Sequence, residues 1–275
     1  MNPNASHATS FQQIIKSFLQ HRSLILQLTK REVIGRYRGS MFGLAWSFFN
    51  PLLMLAVYTI VFSTVFQAKW GLQSDSKLEF ALALFIGMIV HSVLAESLIT
   101  SPSLIIRNAS YVKKIVFPLE VLPWVVLGST LFHAVISISV WSVFYVIVYH
   151  SFNWTAIFLP LVAIPLVLFS LGVSWVFASL GVYIRDIGQI SSILSTILLF
   201  MSPVFYPASA LPEPYRSIIY LNPLTFVIEQ TREVLMWGRL PDWTGLSIAF
   251  LASLIVAWLG FFWFQRTRKG FSDVL

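Results

Sequence analysis

The sequence predicts an all-α polytopic membrane protein with six transmembrane helices per subunit. Three observations carry that prediction. Six long apolar runs, at 44–66, 80–99, 121–149, 154–183, 187–204 and 246–264, fill more than half of the 275 residues. About 20 helical residues, at ~1.5 Å rise each, cross a hydrocarbon core of ~30 Å, and each run approaches or exceeds that length. Mean hydropathy is +0.79 and only 11% of residues are charged, which excludes a soluble globular fold.

The cations set the expected orientation. Lys16, Arg22, Lys30, Arg31, Arg36 and Arg38 precede the first run, Arg107, Lys113 and Lys114 lie in the second connection, Arg185 in the fourth, and Arg266, Arg268 and Lys269 in the tail. Only Lys69, Lys77, Arg216, Arg232 and Arg239 fall on the other side. The positive-inside rule then places both termini of this multi-pass chain in the cytoplasm. The net charge of +7 is read as topology rather than as a nucleic-acid surface. With no Cys, the chain has no disulfide, thiolate metal site or thiol nucleophile. No uninterrupted apolar stretch in the first 43 residues resembles a cleavable signal, so the first run is read as an uncleaved signal-anchor.

Residues 1–43 divide as a cytoplasmic N-terminal segment from the six-helix transmembrane domain at 44–275. Within it Phe11, Ile14, Ile15, Phe18, Leu19, Ile25 and Leu26 recur at helical spacing, opposite Gln12, Gln13, Lys16, Ser17, Gln20 and His21. This pattern predicts an amphipathic helix in the interface plane; packing on a partner subunit is the alternative. Asn50-Pro51 predicts a kink or a short lead-in helix in the first span, and Pro160 and Pro165 a bend in the fourth. Ser101-Pro102 reads as a helix start, an N-cap followed by proline, opening a short cytoplasmic helix over 101–114. The proline-rich stretch 205–240 contains Asn222-Pro223, a second cap. It starts a helix with Leu224, Val227, Ile228, Thr231, Val234 and Leu235 on one face, too short and polar to span. A half-helix dipping into the outer leaflet fits it.

No phosphate-binding loop, HExxH or metal-spaced cluster is present, so no catalytic or metal residue is assigned and any nucleotide chemistry belongs to another chain. His91, Glu96, His133 and Gln189 are the polar groups inside the spans, too scattered for a proton relay. Aromatics, at 16%, are the richer signal. Tyr58, Phe62 and Phe66 recur every four residues on the first span, near Trp46 and Phe49, and Trp141, Tyr145 and Tyr149 do so on the third. Such stripes either stack on the C–H faces of sugar rings in a channel or pack against lipid and protein. The cluster Lys30, Arg31, Arg36 and Arg38 has two readings as well: contact with the phosphates of a lipid-linked substrate, or positive-inside charge against anionic membrane lipid. Ser170, Ser174 and Ala178, four residues apart, permit close helix packing.

The segments LTKREVIGRYRGSMFGLAWSFFNPLL (28–53), GVYIRDIGQI (181–190) and SPVFYP with LNPLTFVIEQTREVLMWG (202–238) resemble the membrane subunit of ABC transporters of the type-2 permease class. Within that class the chain is similar to the branch exporting O-antigen, capsule or teichoic acid, from residue 11 to about 269. The resemblance implies a homodimer paired with two copies of a separate ATPase that holds ATP and Mg, with no cofactor on this chain. It implies docking of that ATPase on helices at 11–28 and 101–114, so that Ser101, Pro102, Arg107, Lys113 and Lys114 carry the coupling. Arg185 and Asp186 would belong to a cytoplasmic gate, 211–237 to re-entrant helices at the outer exit, and the first-span aromatics to a sugar-contacting lining. The implied substrate is a glycan on undecaprenyl diphosphate. A type-2 exporter of drugs or simple lipids shares the helix count, and a membrane-embedded transferase would need paired acids or a metal site.

Overall fold

The computed structural model describes residues 10–62, 77–114 and 117–275, and among them helices joined by turns make up the fold, with no strand. Phe66 and the side chains of Lys113 and Lys114 lie outside the described residues.

Helix α1 (Phe11–Arg36) is longer than its apolar pattern suggests. It runs on through the basic residues, so Lys30, Arg31 and Arg36 form its last two turns and sit where the negative end of the helix dipole favours cations. Ile14, Ile25, Leu28 and Val33 are buried, while Ile15, Leu19, Leu26 and Ile34 remain exposed along the other side. The turn after it passes through Gly39 at φ 86°, a left-handed conformation that glycine adopts without strain. A single 3-10 turn, Gly43–Ala45, then leads into α2 (Trp46–Ile60). That turn is the expected lead-in helix; α2 itself continues through a buried Pro51.

Helix α3 (Lys77–Arg107) is the central post. It is buried almost from end to end and packs against α2, α5 (Leu122–Tyr149), α6 (Leu159–Tyr183), α7 (Ile187–Phe200) and α9 (Pro223–Leu235). The helix start expected at Ser101-Pro102 is not there: both residues are buried inside α3, which ends at Arg107 and gives way to α4 (Ala109–Lys114). Two contacts account for this. Ser101 Oγ donates back to the Ser97 carbonyl at 2.5 Å instead of capping forward, and Gly181 of α6 lies directly on the Pro102 carbonyl, so packing holds the helix through its proline.

Among the described residues, five helical segments are long and apolar enough to cross a membrane: Gly43–Ile60, Leu78–Arg107, Leu119–Tyr149, Trp154–Tyr183 and Trp243–Val274, the last containing α10 (Trp243–Thr267) and the short α11 (Phe271–Val274). The apolar run at 187–204 forms α7, only 14 residues, or about 21 Å. Pro203 disfavours helical geometry at Ser202, and the chain turns there.

Helices α6 and α10 form the most extensive contact in the molecule. Gly172 and Gly260 face one another backbone to backbone, and Ser170, Ser174 and Ala178 are fully buried in α6. Beyond α7, helix α8 (Glu213–Tyr220) and α9 complete the end of the fold away from α1. Asn222 caps α9 as its sequence suggests, Oδ1 accepting from the Leu224 amide at 3.0 Å, and its Nδ2 reaches Ser202 Oγ at 2.9 Å. All six residues of the expected apolar face of α9 are buried.

Candidate functional site

At the α1 end, a network centred on Glu120 fastens three segments together. Its carboxylate accepts from Arg268 at the end of α10 at 2.6 Å and from Ser17 of α1 at 3.4 Å, while Trp175 Nε1 of α6 donates to its carbonyl at 3.2 Å. Arg268 also donates to the Phe117 carbonyl at 2.9 Å. The ring of Phe18 rests on Trp124, centroids 4.6 Å apart, and completes the seat of α1 on α5.

The basic cluster lies along the same end. Lys30, Arg31, Arg36 and Arg38 are all exposed. Arg36 pairs with Glu96 of α3, and Arg31 donates to the Tyr111 hydroxyl of α4 at 3.2 Å. Tyr37 sits 3.5 Å from His133 Nδ1. Glu96, one of the few polar groups inside the spans, is thus answered by Arg36. Arg107 is exposed where α3 ends, and Arg185 and Asp186 are exposed in the short link between α6 and α7, near the same end. Ser101 and Pro102 are buried within the chain and offer no surface to a partner; among the described side chains of that stretch, Ile106, Arg107 and Ser110 are exposed.

The aromatic candidates separate into two groups. Along α2, Phe49 is 40% exposed and meets Trp46 edge-on at 6.4 Å, with Phe42 5.6 Å from Trp46. Tyr58 is half-buried against Phe85 of α3 at 6.4 Å. Phe62 stacks on Phe80 at 5.4 Å and on Phe205 at 6.2 Å, and Phe205 stacks on Phe200 at the end of α7. The far ends of α2 and α7 are thus joined by rings, and each helix turns an unpartnered face outward: Phe48, Leu53 and Val57 on α2, Ile190, Ile193 and Ile197 on α7. Polar Gln189, Ser192 and Thr196 interleave on that face of α7.

The third-span stripe does not belong to this surface, which corrects the channel reading of Trp141 and Tyr145. Trp141 is 0% exposed and Tyr145 5%. Trp141 Nε1 donates to the Leu82 carbonyl at 3.0 Å, and the Tyr145 hydroxyl donates to the Met236 carbonyl at 2.8 Å while accepting from Asn153 at 3.0 Å. Their polar tips satisfy backbone groups that would otherwise be orphaned, so the rings are cement between helices rather than a wall. His91 likewise reaches a backbone carbonyl, that of Ser195, at 3.1 Å.

One residue escapes sequence reasoning almost entirely. Arg232, 1% exposed, donates Nε to the Ala83 carbonyl at 2.9 Å and its two terminal nitrogens to Pro203 at 2.6 Å and Val204 at 3.1 Å. It clamps α9 to α3 and to the turn after α7, and Gly87 leaves the room for its guanidinium. The signal was available in the spacing. Leu224, Ile228 and Arg232 step by four along the apolar stripe of α9, where a cation has no place unless it has partners.

Comparison with known proteins accords with this architecture. The family model for ABC-2 type transporters matches residues 23–236. An O-antigen export system permease protein of Myxococcus xanthus is 28% identical over 95% of this chain and 98% of its own. One of Klebsiella pneumoniae is 29% identical over 92% of this chain and 95% of its own. A daunorubicin resistance ABC transporter permease protein of Streptomyces coeruleorubidus is 27% identical over 74% of this chain and 72% of its own. The chain belongs to the ABC-2 type transporter family, as a multi-pass membrane subunit that performs transport while the ATPase resides on a separate chain.

Proposed function

We propose that this chain is the permease of an exporter that moves a lipid-linked cell-surface polysaccharide, of the O-antigen class on undecaprenyl diphosphate, from the cytoplasmic to the outer side of the inner membrane. The observation that carries the proposal is a juxtaposition. The exposed aromatic and apolar face of α2, from Phe48 and Phe49 onward, follows the exposed cations at the end of α1 after one short turn. The extent of the likeness favours a glycan over a drug, since the O-antigen permeases match more than nine-tenths of the chain and the drug-resistance permease about three-quarters.

In this reading the chain works as a homodimer of six-span subunits with two ABC ATPases, both termini in the cytoplasm, and α7 reaches the outer surface with α8 and α9 as re-entrant helices. Two copies of the α2 and α7 face enclose the path, where Trp46, Phe49, Tyr58 and Phe62 offer ring faces to a sliding polymer without a deep binding minimum. Lys30, Arg31, Arg36 and Arg38 hold the diphosphate, the guanidinium of Arg36 exchanging Glu96 for phosphate oxygens. ATP and Mg stay on the partner, whose closure presses on α1 and on the α3–α4 corner at Arg107, Lys113 and Lys114. The exposed Arg185 and Asp186 lie in the link that this movement would open.

A chromosomal deletion tests the proposal. The expected result is loss of surface polysaccharide, with polymer accumulating in the cell on its lipid carrier, seen by fractionation and immunoblot. Normal surface polymer in a strain with no redundant exporter would defeat the reading.

A further inference from the structure

At the end of the fold away from α1, the turn around Ser209, helix α8 and the outer side of α9 enclose a pocket of about 480 Å³. That lies within the range of small-molecule sites, about 300–1,000 Å³. Its lining mixes three kinds of group. Tyr220 and Trp237 supply ring faces, Glu229 and Gln230 supply acceptor oxygens, and Arg216 and Arg239 supply donors.

Several of these groups are already held in place. The Tyr220 hydroxyl donates to Glu229 Oε2 at 3.0 Å; burial, and then the neighbouring carboxylate of Glu229, raise its pKa and keep it a donor. The backbone amide of Asp242 donates to Gln230 Oε1 at 2.8 Å, and Arg239 stands 3.5 Å from Glu233. Arg216 donates its Nη2 to the carbonyls of Ser209 at 2.9 Å and Leu211 at 3.0 Å, yet its Nε is buried with no acceptor among the described residues. Beneath the pocket, the clamp formed by Arg232 keeps α9 fixed.

Together these groups suit a ligand that both donates and accepts hydrogen bonds and carries an apolar face. A phosphate would suit the arginines and meet the carboxylates of Glu229 and Glu233. A purely apolar solute would leave the charged groups of the lining without partners. Sugar hydroxyls both donate and accept, and the C–H face of a pyranose packs on an aromatic ring. We propose that this pocket is a saccharide-binding site that grips the emerging glycan at the outer mouth and restrains it from sliding back. The inference rests on the polysaccharide reading above and adds a second sugar contact beyond the Phe62–Phe205 stack at the far end of α2.

The test uses the full-length chain, purified in detergent, and short oligosaccharides released from the surface polysaccharide of the same strain. Wild-type protein should bind them, read by calorimetry, with Tyr220→Ala and Glu229→Gln each weakening binding at least tenfold. Tyr220 is half exposed, so its truncation leaves the fold intact, and Arg239→Ala, at the exposed rim, provides a second variant expected to weaken binding severalfold. Inorganic phosphate should not compete. Binding that all three variants leave unchanged would overturn the site, as would displacement by phosphate. Absence of binding to wild-type protein, in a strain whose deletion does strip polymer from the surface, would overturn the pocket and leave export standing. Normal surface polymer in the deletion strain would overturn both.

Discussion

Replacing Arg232 with Met should lower the thermal unfolding midpoint of the purified protein by about 10 °C and abolish export. The guanidinium serves three carbonyls on two separate elements, and its loss strips a donor from each. A buried acceptor left unpaired costs about 1–3 kcal/mol. Even with partial relaxation, the total is on the order of 4 kcal/mol, in the range reserved for broken buried networks. Arg232→Lys should fare nearly as badly, since one ammonium on a flexible stem cannot reproduce the planar fork that reaches Ala83, Pro203 and Val204 together. A thermal shift below about 2 °C for either variant would show that the clamp does not hold α9.

Gly260→Ala is expected to be nearly as damaging, although it adds a single methyl group. A Cβ at Gly260 would stand 2.2 Å from the Gly172 carbonyl oxygen, and one at Gly172 would stand 2.5 Å from that of Val256. Both obstacles are backbone, so no rotamer change relieves them and α6 and α10 must move apart. Overpacking of a fitted interior costs about 1–3 kcal/mol, and a backbone clash along the largest helix contact falls at the upper end. Gly188→Ala on α7 is the matched control. Nothing lies within 4 Å of its added methyl, so it should be neutral or slightly stabilising through helix propensity. Thermal unfolding of the two variants side by side reads the difference, and equal midpoints would contradict the packing.

What the sequence made legible, and what it hid, follows from which signals are local. Apolar length and the Asn222-Pro223 cap are local, and the five long helices and the start of α9 appear where the residues put them. Ser101-Pro102 carries the same local wording as Asn222-Pro223 but behaves differently. Close packing against Gly181 keeps α3 helical through its proline, a tertiary effect that no window of sequence contains. The stripe of Trp141 and Tyr145 fails as a lining for a related reason. Four-residue spacing places residues on one face of a helix without telling whether that face meets a channel, lipid or another helix. In a protein whose every span is apolar all round, hydrophobic contrast cannot separate inside from outside. The hydrogen-bonding tips of those rings, aimed at the Leu82 and Met236 carbonyls, decide it. Glu120 stayed hidden because its partner Arg268 lies far along the chain, and the stripe position of Arg232 marks a cation in need of partners without naming the distant Ala83 carbonyl.

That the chain translocates lipid-linked polysaccharide is tested most directly in sealed vesicles containing it together with its ABC ATPase. Lipid-linked polymer is supplied on the ATPase side, and the fraction protected from an added glycosidase is followed over time. Protection that grows only with hydrolysable ATP, and is lost on truncating Phe49 and Tyr58 to Ala together, is the predicted result. Polymer that remains fully accessible while ATP is hydrolysed would contradict it.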